Sequence, residues 1–120
     1  MSTVLVVEDT LSELKLIKNY LQDSGYQVIV ATDAMAALEQ AVQQQPDVVI
    51  TDVLMPGMSG FELCRKLKNH PQTKQLPIII CSSKDQAIDR IWGMKQGAAV
   101  YVTKPFTREQ LVSAVKSVVA

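Results

Sequence analysis

Residues 47–52 read DVVITD: an aspartate, three β-branched apolar residues, then a threonine and a second aspartate. A short continuous apolar run of this kind is typical of a strand buried on both faces of a parallel sheet. Five runs of this kind recur along the chain, at Val4–Val7, Val28–Ala31, Val48–Ile50, Ile78–Cys81 and Val100–Val102. We therefore predict five strands of one parallel sheet.

The segments between the runs carry apolar residues at the spacing of a helix face. The first face comprises Leu11, Leu14, Ile17 and Leu21, and the fourth comprises Ile88, Ile91 and Trp92. Strict alternation of strands and helices places helices on both faces of the sheet, with right-handed crossovers. The fold class predicted is α/β, a doubly wound (βα)5 arrangement around a five-stranded parallel sheet.

Predicted helix boundaries come from local chemistry. Four segments carry the Ser/Thr-x-x-Glu/Gln pattern of a capping box, in which side chains satisfy free amides at a helix start. The boxes predicted are Thr10…Glu13, Ser59…Glu62, Ser83…Gln86 and Thr107…Gln110. Gly25 and Gly97 stand where the first and fourth helices are expected to end.

Composition excludes several classes of protein. The 120 residues fit one domain, 1–120, with no attached output domain expected, and no apolar run approaches the ~20 residues of a membrane span. The formal net charge is zero, which argues against a dedicated nucleic-acid binder. The charges are nevertheless unevenly placed: residues 1–59 sum to −6 and residues 60–120 to +6. Cys64 and Cys81 are expected to be reduced and buried, as in a cytoplasmic protein.

Polar residues follow four of the predicted strands. They are Glu8, Asp9, Asp52, Ser82, Ser83 and Lys104. Ligands bind at this carboxyl edge in open α/β sheets. Converging carboxylates require a cation, and oxygen ligands without Cys or His favour Mg²⁺ or Mn²⁺. A lysine and a hydroxyl complete a site for a phosphoryl group, and an aspartate can act as its nucleophile.

Four sequence blocks in order give the chain a family resemblance: VLVVED at 4–9, DVVITDVLMPGMSG at 47–60, PIIICS at 77–82 and KPF at 104–106. It resembles the response-regulator receiver domains, the phosphoacceptor modules of two-component signalling. The resemblance implies the flavodoxin-like, CheY-like strand order 2-1-3-4-5. It also implies a signalling switch rather than an enzyme, although one that assists its own phosphorylation and dephosphorylation.

The resemblance assigns roles at the strand ends. Asp52 matches the phosphorylated aspartate and Lys104 the lysine that contacts the phosphoryl group. Glu8 and Asp9 match the acidic pair that holds Mg²⁺ (or Mn²⁺) together with Asp52 and the Leu54 backbone carbonyl. Glu8 stands where aspartate is commoner in the family.

The resemblance also implies a switch and partners. Ser82, in place of the commoner threonine, matches the hydroxyl that bonds the phosphoryl group, and Tyr101 matches the aromatic that rotates inward on activation. The surface of helix four, strand five and helix five then binds or releases a separate effector protein. The expected phosphodonor is a CheA-like histidine kinase, and no direct nucleic-acid contact or membrane insertion is implied. A cytoplasmic monomer or weak dimer is expected.

A narrower resemblance rests on SKDQ at 83–86, DRIWG at 89–93, QGA at 96–98 and TKP at 103–105. It is similar to the stand-alone receivers of type IV pilus (twitching) chemosensory systems, the PilH-like group. A role in taxis or pilus motility is therefore expected.

Three alternatives remain open at this point. A flavin protein of the same architecture needs a phosphate loop where Glu8 and Asp9 stand. A haloacid-dehalogenase-like phosphatase needs a second aspartate where Leu54 stands. A receiver that no longer accepts phosphate is disfavoured, because every site position carries competent chemistry.

Overall fold

The structure is a computed structural model, and it describes residues 2–119. Five strands alternate with five helices in this part of the chain. The strands are β1 (Thr3–Val7), β2 (Gln27–Ala31), β3 (Val48–Thr51), β4 (Ile78–Ser82) and β5 (Val100–Thr103). The helices are α1 (Leu11–Asp23), α2 (Ala34–Gln44), α3 (Gly60–Lys68), α4 (Ala87–Lys95) and α5 (Arg108–Val118).

The five strands form one parallel sheet in the order β2-β1-β3-β4-β5. β1 lies between β2 and β3, so that Val4 pairs with Val28 on one side and with Val48 on the other. The strand order reverses at β1, and a crevice therefore opens at the carboxyl ends of β1 and β3. The predicted fold class and strand order are confirmed.

Both faces of the sheet are covered by helices. In β1, Leu5 and Val7 face one apolar layer, with α2 and α3, while Val4 and Val6 face a second layer, with α1 and α5. Because neither face of the central strands β1, β3 and β4 meets water, consecutive residues of these strands are apolar rather than alternate ones. This is the physical basis of the continuous runs in the sequence.

All five predicted strands are found, and each is longer than its apolar run. At the carboxyl ends of three strands the pairing continues through one polar residue. These residues are Thr51, Ser82 and Thr103, and they pair with Val7, Thr103 and Ser82 respectively. The ladder of backbone hydrogen bonds therefore extends up to the residues of the carboxyl edge.

Two predicted capping boxes are at least partly formed. In α5, the Thr107 amide donates to Gln110 Oε1 at 2.9 Å and the Gln110 amide donates to Thr107 Oγ1 at 3.1 Å. In α3, Ser59 Oγ accepts from the Glu62 amide at 3.2 Å. The predicted ends of α1 and α4 are also confirmed, because Gly25 and Gly97 follow them with φ of +92° and +108°.

The other two capping predictions are wrong. α4 begins at Ala87 with Gln86 as its N-cap, three residues beyond the cap expected at Ser83. α1 begins after Thr10 as predicted, but within residues 2–119 the Thr10 hydroxyl accepts no capping hydrogen bond. Glu13, the expected partner, is engaged elsewhere.

Helix α4 is attached differently from the other helices. Its only buried residue is Gly93, and the face predicted to be apolar core, Ile88, Ile91 and Trp92, is largely exposed. Leu11 on α1, predicted to lie in the core, is likewise exposed. Of the helices within residues 2–119, none has the length and hydropathy needed to cross a membrane.

Gly60, the first residue of α3, fits closely against the carboxyl edge. A Cβ atom at this position would collide with the backbone carbonyl of Asp52, which cannot move without displacing the end of β3. The absence of a side chain at Gly60 thus allows α3 to begin directly against the Asp52 loop.

We expect Gly60→Ala to lower the free energy of unfolding by about 3 kcal/mol, because overpacking against backbone forces both elements apart. Urea denaturation measures the loss. Gly93→Ala is the matched control, since alanine is the better helix former at both positions. A Cβ at Gly93 meets only side-chain atoms at 3.0–3.3 Å, and these can shift. A Gly93→Ala loss as large as that of Gly60→Ala contradicts the explanation.

Candidate functional site

The carboxyl edge of the sheet carries a cavity of about 520 Å³. Its walls combine charged residues with apolar ones from α1 and from the loop after β5. The lining residues are Asp9, Thr10, Glu13, Leu16, Ile17, Asp52, Leu54, Ser83, Lys104, Pro105 and Phe106. The peptide bond between Lys104 and Pro105 is cis.

Lys104 is the centre of the charged group. Its Nζ lies 2.7 Å from Glu8 Oε1, 2.7 Å from Glu13 Oε1 and 3.0 Å from Asp52 Oδ2. An ammonium has three donors, and three carboxylates accept from it here. Burial acts to lower the pKa of Lys104, but the hydrogen bonds to Glu13, Glu8 and Asp52 outweigh it and raise the pKa above its usual range. Lys104 is therefore a fixed positive charge.

Glu8 is almost fully enclosed, with 1% of its surface exposed. Its Oε2 accepts from the Thr10 amide at 3.3 Å, while Oε1 accepts from Lys104. Burial raises the pKa of Glu8, and the hydrogen bond from Lys104 offsets only part of that rise. A buried carboxylate with a single cationic partner is a strong acceptor for further positive charge.

Asp52 presents its two oxygens to different partners. Oδ1 accepts from the Val53 amide at 2.6 Å and faces the Leu54 amide at 3.4 Å, so the loop after β3 fixes its orientation. Oδ2 faces Lys104. The side chain is 11% exposed and lines the cavity, so the carboxylate remains accessible to a reagent of small size.

Three carboxylates form the acidic group of the site. Oxygens of Glu8, Glu13 and Asp52 lie within 4.8 Å of one another, whereas Asp9 is exposed and lines the same cavity without entering that group. The sequence prediction had no metal-site role for Glu13. Its position in an apparent capping box assigned it to the helix start, and only its contact with Lys104 reveals the other use.

The donor atoms of this group fit a hard divalent cation. All are carboxylate oxygens, the ligands that Mg²⁺ prefers, and no thiol or imidazole lies among them. Leu54 lines the cavity beside them with its side chain exposed. The ammonium of Lys104 contacts Glu8 Oε1 and Asp52 Oδ2, and these two residues are also candidate ligands for a divalent cation.

Ser82 and Tyr101 are linked through one backbone segment. Ser82 is fully buried, and its Oγ accepts from the Lys84 amide at 3.2 Å. The Tyr101 hydroxyl donates to the Lys84 carbonyl at 2.7 Å. Ser82 and Tyr101 therefore contact the same residue, one at the Lys84 amide and the other at the Lys84 carbonyl.

The ring of Tyr101 packs against α4. The guanidinium carbon of Arg90 lies 5.6 Å from the ring centroid, within the range of a cation–π contact. Gly93 faces the same ring, and a Cβ there would lie 3.0 Å from Tyr101 Cδ2. Burial raises the pKa of the Tyr101 hydroxyl, so it remains a donor.

A family model described as "Response regulator receiver domain" matches residues 4–116. The chain belongs to the response-regulator receiver family. It is therefore a receiver domain of a two-component response regulator, a signalling class in which a histidine kinase is the phosphodonor and downstream proteins are partners. Receiver domains bind Mg²⁺ at an acidic pocket, and the Glu8, Glu13 and Asp52 group provides one here.

Individual relatives agree with the family match. The receiver is 38% identical to protein PilH of Pseudomonas aeruginosa over 120 residues, which span 100% of this chain and 99% of PilH. Chemotaxis protein CheY4 of Vibrio cholerae is 34% identical, with a TM-score of 0.93 over 99% of each chain. A receiver domain of a Pseudomonas aeruginosa sensor histidine kinase, solved with magnesium in its active site cleft, is 26% identical. Its TM-score is 0.91 over 98% of this chain and 96% of that one.

Replacing Lys104, whose ammonium lies among the three carboxylates, should destabilise the receiver in a pH-dependent way. We expect Lys104→Met to lower the free energy of unfolding at pH 7.5 by about 3 kcal/mol, because buried carboxylates lose their cation. An acid whose pKa is raised by folding, as for Glu8, binds more protons when folded. Stability therefore rises as the pH falls through that raised pKa toward 4.5, and the loss in Lys104→Met should shrink.

Urea unfolding at pH 7.5 and at pH 5 measures this difference. Lys84→Met is the control. Lys84 forms an ion pair with Asp89 at 3.8 Å near the surface, and such a pair contributes about 0.5 kcal/mol or less to the free energy of unfolding. Equal losses for Lys104→Met at the two pH values would show that carboxylate repulsion is not the cause.

Proposed function

We propose that this receiver is switched by transfer of a phosphoryl group from a histidine kinase to Asp52. The observation that carries the proposal is the contact between Lys104 Nζ and Asp52 Oδ2 at 3.0 Å, beside the buried Glu8. A nucleophilic carboxylate and a fixed ammonium stand side by side in an accessible cavity. This is the arrangement that phosphoryl transfer to an aspartate requires.

In the transfer, a carboxylate oxygen of Asp52 bonds to phosphorus while the phosphorus–nitrogen bond of the donor phosphohistidine breaks. The histidine nitrogen keeps the electron pair, and the imidazole leaves without its phosphoryl group. Lys104 neutralises charge on the phosphoryl oxygens as they approach, which lowers the transition-state energy. Once the Ser82 side chain moves toward Asp52, its hydroxyl donates a hydrogen bond to the phosphoryl group of the product.

We assign the divalent cation to the oxygens of Glu8, Asp9 and Asp52 and to the Leu54 backbone carbonyl. Asp9 lines the cavity from the α1 side and is free to contact the cation directly or through water. When bound, Mg²⁺ or Mn²⁺ supplies positive charge that offsets both the carboxylates and the phosphoryl oxygens. The match of donor type supports this set.

The proposed output surface consists of α4, β5 and α5. Ser82 moves toward the doubly negative phosphoryl group, and the Lys84 peptide transmits the movement to Tyr101. The exposed apolar side chains of α4, Ile88, Ile91 and Trp92, are then presented differently to a downstream protein. A local change of charge thus biases a two-state surface.

The pathway proposed is taxis or type IV pilus motility, with a CheA-like kinase as donor. The full-length similarity to PilH and the structural similarity to CheY4 support it. A cytoplasmic location is supported by the two free buried cysteines, Cys64 and Cys81, which suit a reducing compartment. The proposed role is a switch that assists its own phosphorylation and dephosphorylation, with no separate enzymatic substrate and no nucleic acid.

Incubation with Mg²⁺ and acetyl phosphate should produce an acid-stable, base-labile phosphoprotein. The label should reach Asp52, so Asp52→Asn should remove it, while Asp85→Asn, at an exposed aspartate outside the acidic group, should label like the unchanged protein. A phosphate-affinity gel or mass spectrometry measures the product. Equal labelling of Asp52→Asn contradicts the proposal, and multiple turnover on a phosphate ester favours a phosphatase instead.

Trp92, the single tryptophan, lies on α4 with 49% of its surface exposed and can report the switch. Beryllofluoride with Mg²⁺, a stable phosphoryl mimic, should change its fluorescence. Ser82→Ala should reduce that change several-fold while Asp52 is still labelled by acetyl phosphate, because the link through Lys84 is lost. Ser12→Ala, at an exposed serine of α1 outside the cavity lining, should respond normally. A full response in Ser82→Ala would contradict the route.

A further inference from the structure

Glu13 is the one member of the acidic group without a part in the proposed phosphoryl transfer. It lies on the first turn of α1, and its Oε1 contacts Lys104 Nζ at 2.7 Å, as close as Glu8 does. The side chain is 40% exposed, so water reaches it far more readily than it reaches Glu8. Glu13 is thus a third carboxylate on the solvent side of the cationic centre.

Local geometry frees Glu13 for this contact. A glutamate at the third position of a helix ordinarily accepts a hydrogen bond from the N-cap amide. Here the N-cap is Thr10, and its amide donates to Glu8 Oε2 instead. Glu8 therefore takes the hydrogen bond that would otherwise hold Glu13 at the helix start, and Glu13 extends to Lys104.

The charge of the group differs before and after phosphorylation. With its three carboxylates ionised and Lys104 protonated, the group has a net charge of −2, which one divalent cation neutralises. Phosphorylation replaces the single charge of Asp52 with a doubly negative group. Glu13 then repels the added charge and competes with it for the ammonium of Lys104.

We propose that Glu13 sets the balance between the two occupants of the site, strengthening divalent-cation binding and weakening phosphoryl binding. This inference rests on the proposed function, since it assumes that the cation and the phosphoryl group both occupy this cavity. Glu13 acts through its charge and through Lys104, and is a tuning residue rather than a catalytic one. Its effect on the two ligands has opposite signs, which separates it from a general structural role.

The test uses Glu13→Gln, which replaces the charged carboxylate with a neutral amide of similar shape. The dissociation constant for Mg²⁺, measured by calorimetry, should rise about fivefold. The dissociation constant for beryllofluoride at saturating Mg²⁺, measured by Trp92 fluorescence, should fall by about the same factor. Glu13→Ala should match Glu13→Gln in both constants, because the charge is lost in each.

Glu62→Gln is the matched control. Glu62 occupies the same position in the first turn of α3, and its replacement changes the net charge equally without touching the acidic group. It should leave both constants unchanged. If either constant keeps its original value in Glu13→Gln, or both shift in one direction, the proposal for Glu13 is overturned.

The two proposals fail in different ways. If the unchanged protein binds neither Mg²⁺ nor beryllofluoride, the proposed phosphoacceptor function itself is wrong. If the unchanged protein binds both and Glu13→Gln shows no opposite shifts, only the role of Glu13 is wrong. If Glu13→Gln misfolded, its dissociation constant for beryllofluoride would rise. That result is the opposite of the expected fall and would also overturn the proposal for Glu13.

Discussion

The ammonium of Lys104 holds the carboxyl edge of this receiver together. Three carboxylates arrive there from the ends of β1 and β3 and from the start of α1, and each would repel the others in the absence of a cation. Lys104 reaches them from the end of β5, two strands away from β3 in the sheet. One side chain therefore ties four elements of the fold together, and its contacts define the geometry of the acidic group.

The sequence predicted the framework well because the framework depends on burial. Strands covered on both faces must be apolar throughout, so runs such as Val48–Ile50 mark them without reference to the rest of the chain. The predictions stopped one residue short at Thr51, Ser82 and Thr103, since hydrophobicity ends before backbone pairing does. Glu8, Asp52 and Lys104 directly follow β1, β3 and β5, so the parallel arrangement of the strands predicted that they lie at one edge of the sheet.

Features that depend on distant contacts were harder to predict. Glu13 has a capping pattern in its own neighbourhood, and the competing cation is Lys104, far along the chain. The start of α4 was missed for a local reason, because the Gln86 amide pairs with Asp89 Oδ2 three residues on and this cap displaces the one expected at Ser83. Apolar spacing predicted a buried face for α4, but periodicity alone does not distinguish a core from a surface exposed for another reason.

The shallow attachment of α4 has an energetic consequence. A helix that buries several large side chains resists displacement, because moving it returns roughly 1.5–3 kcal/mol of burial per side chain to water. In α4 only Gly93 is buried, and glycine has no side chain to expose. Displacing α4 therefore returns less apolar surface to water than displacing α1, which buries Leu14, Ile17 and Leu21. For the proposed switch, α4 is thus a helix whose displacement costs little burial, which suits it to respond to a small local change of charge.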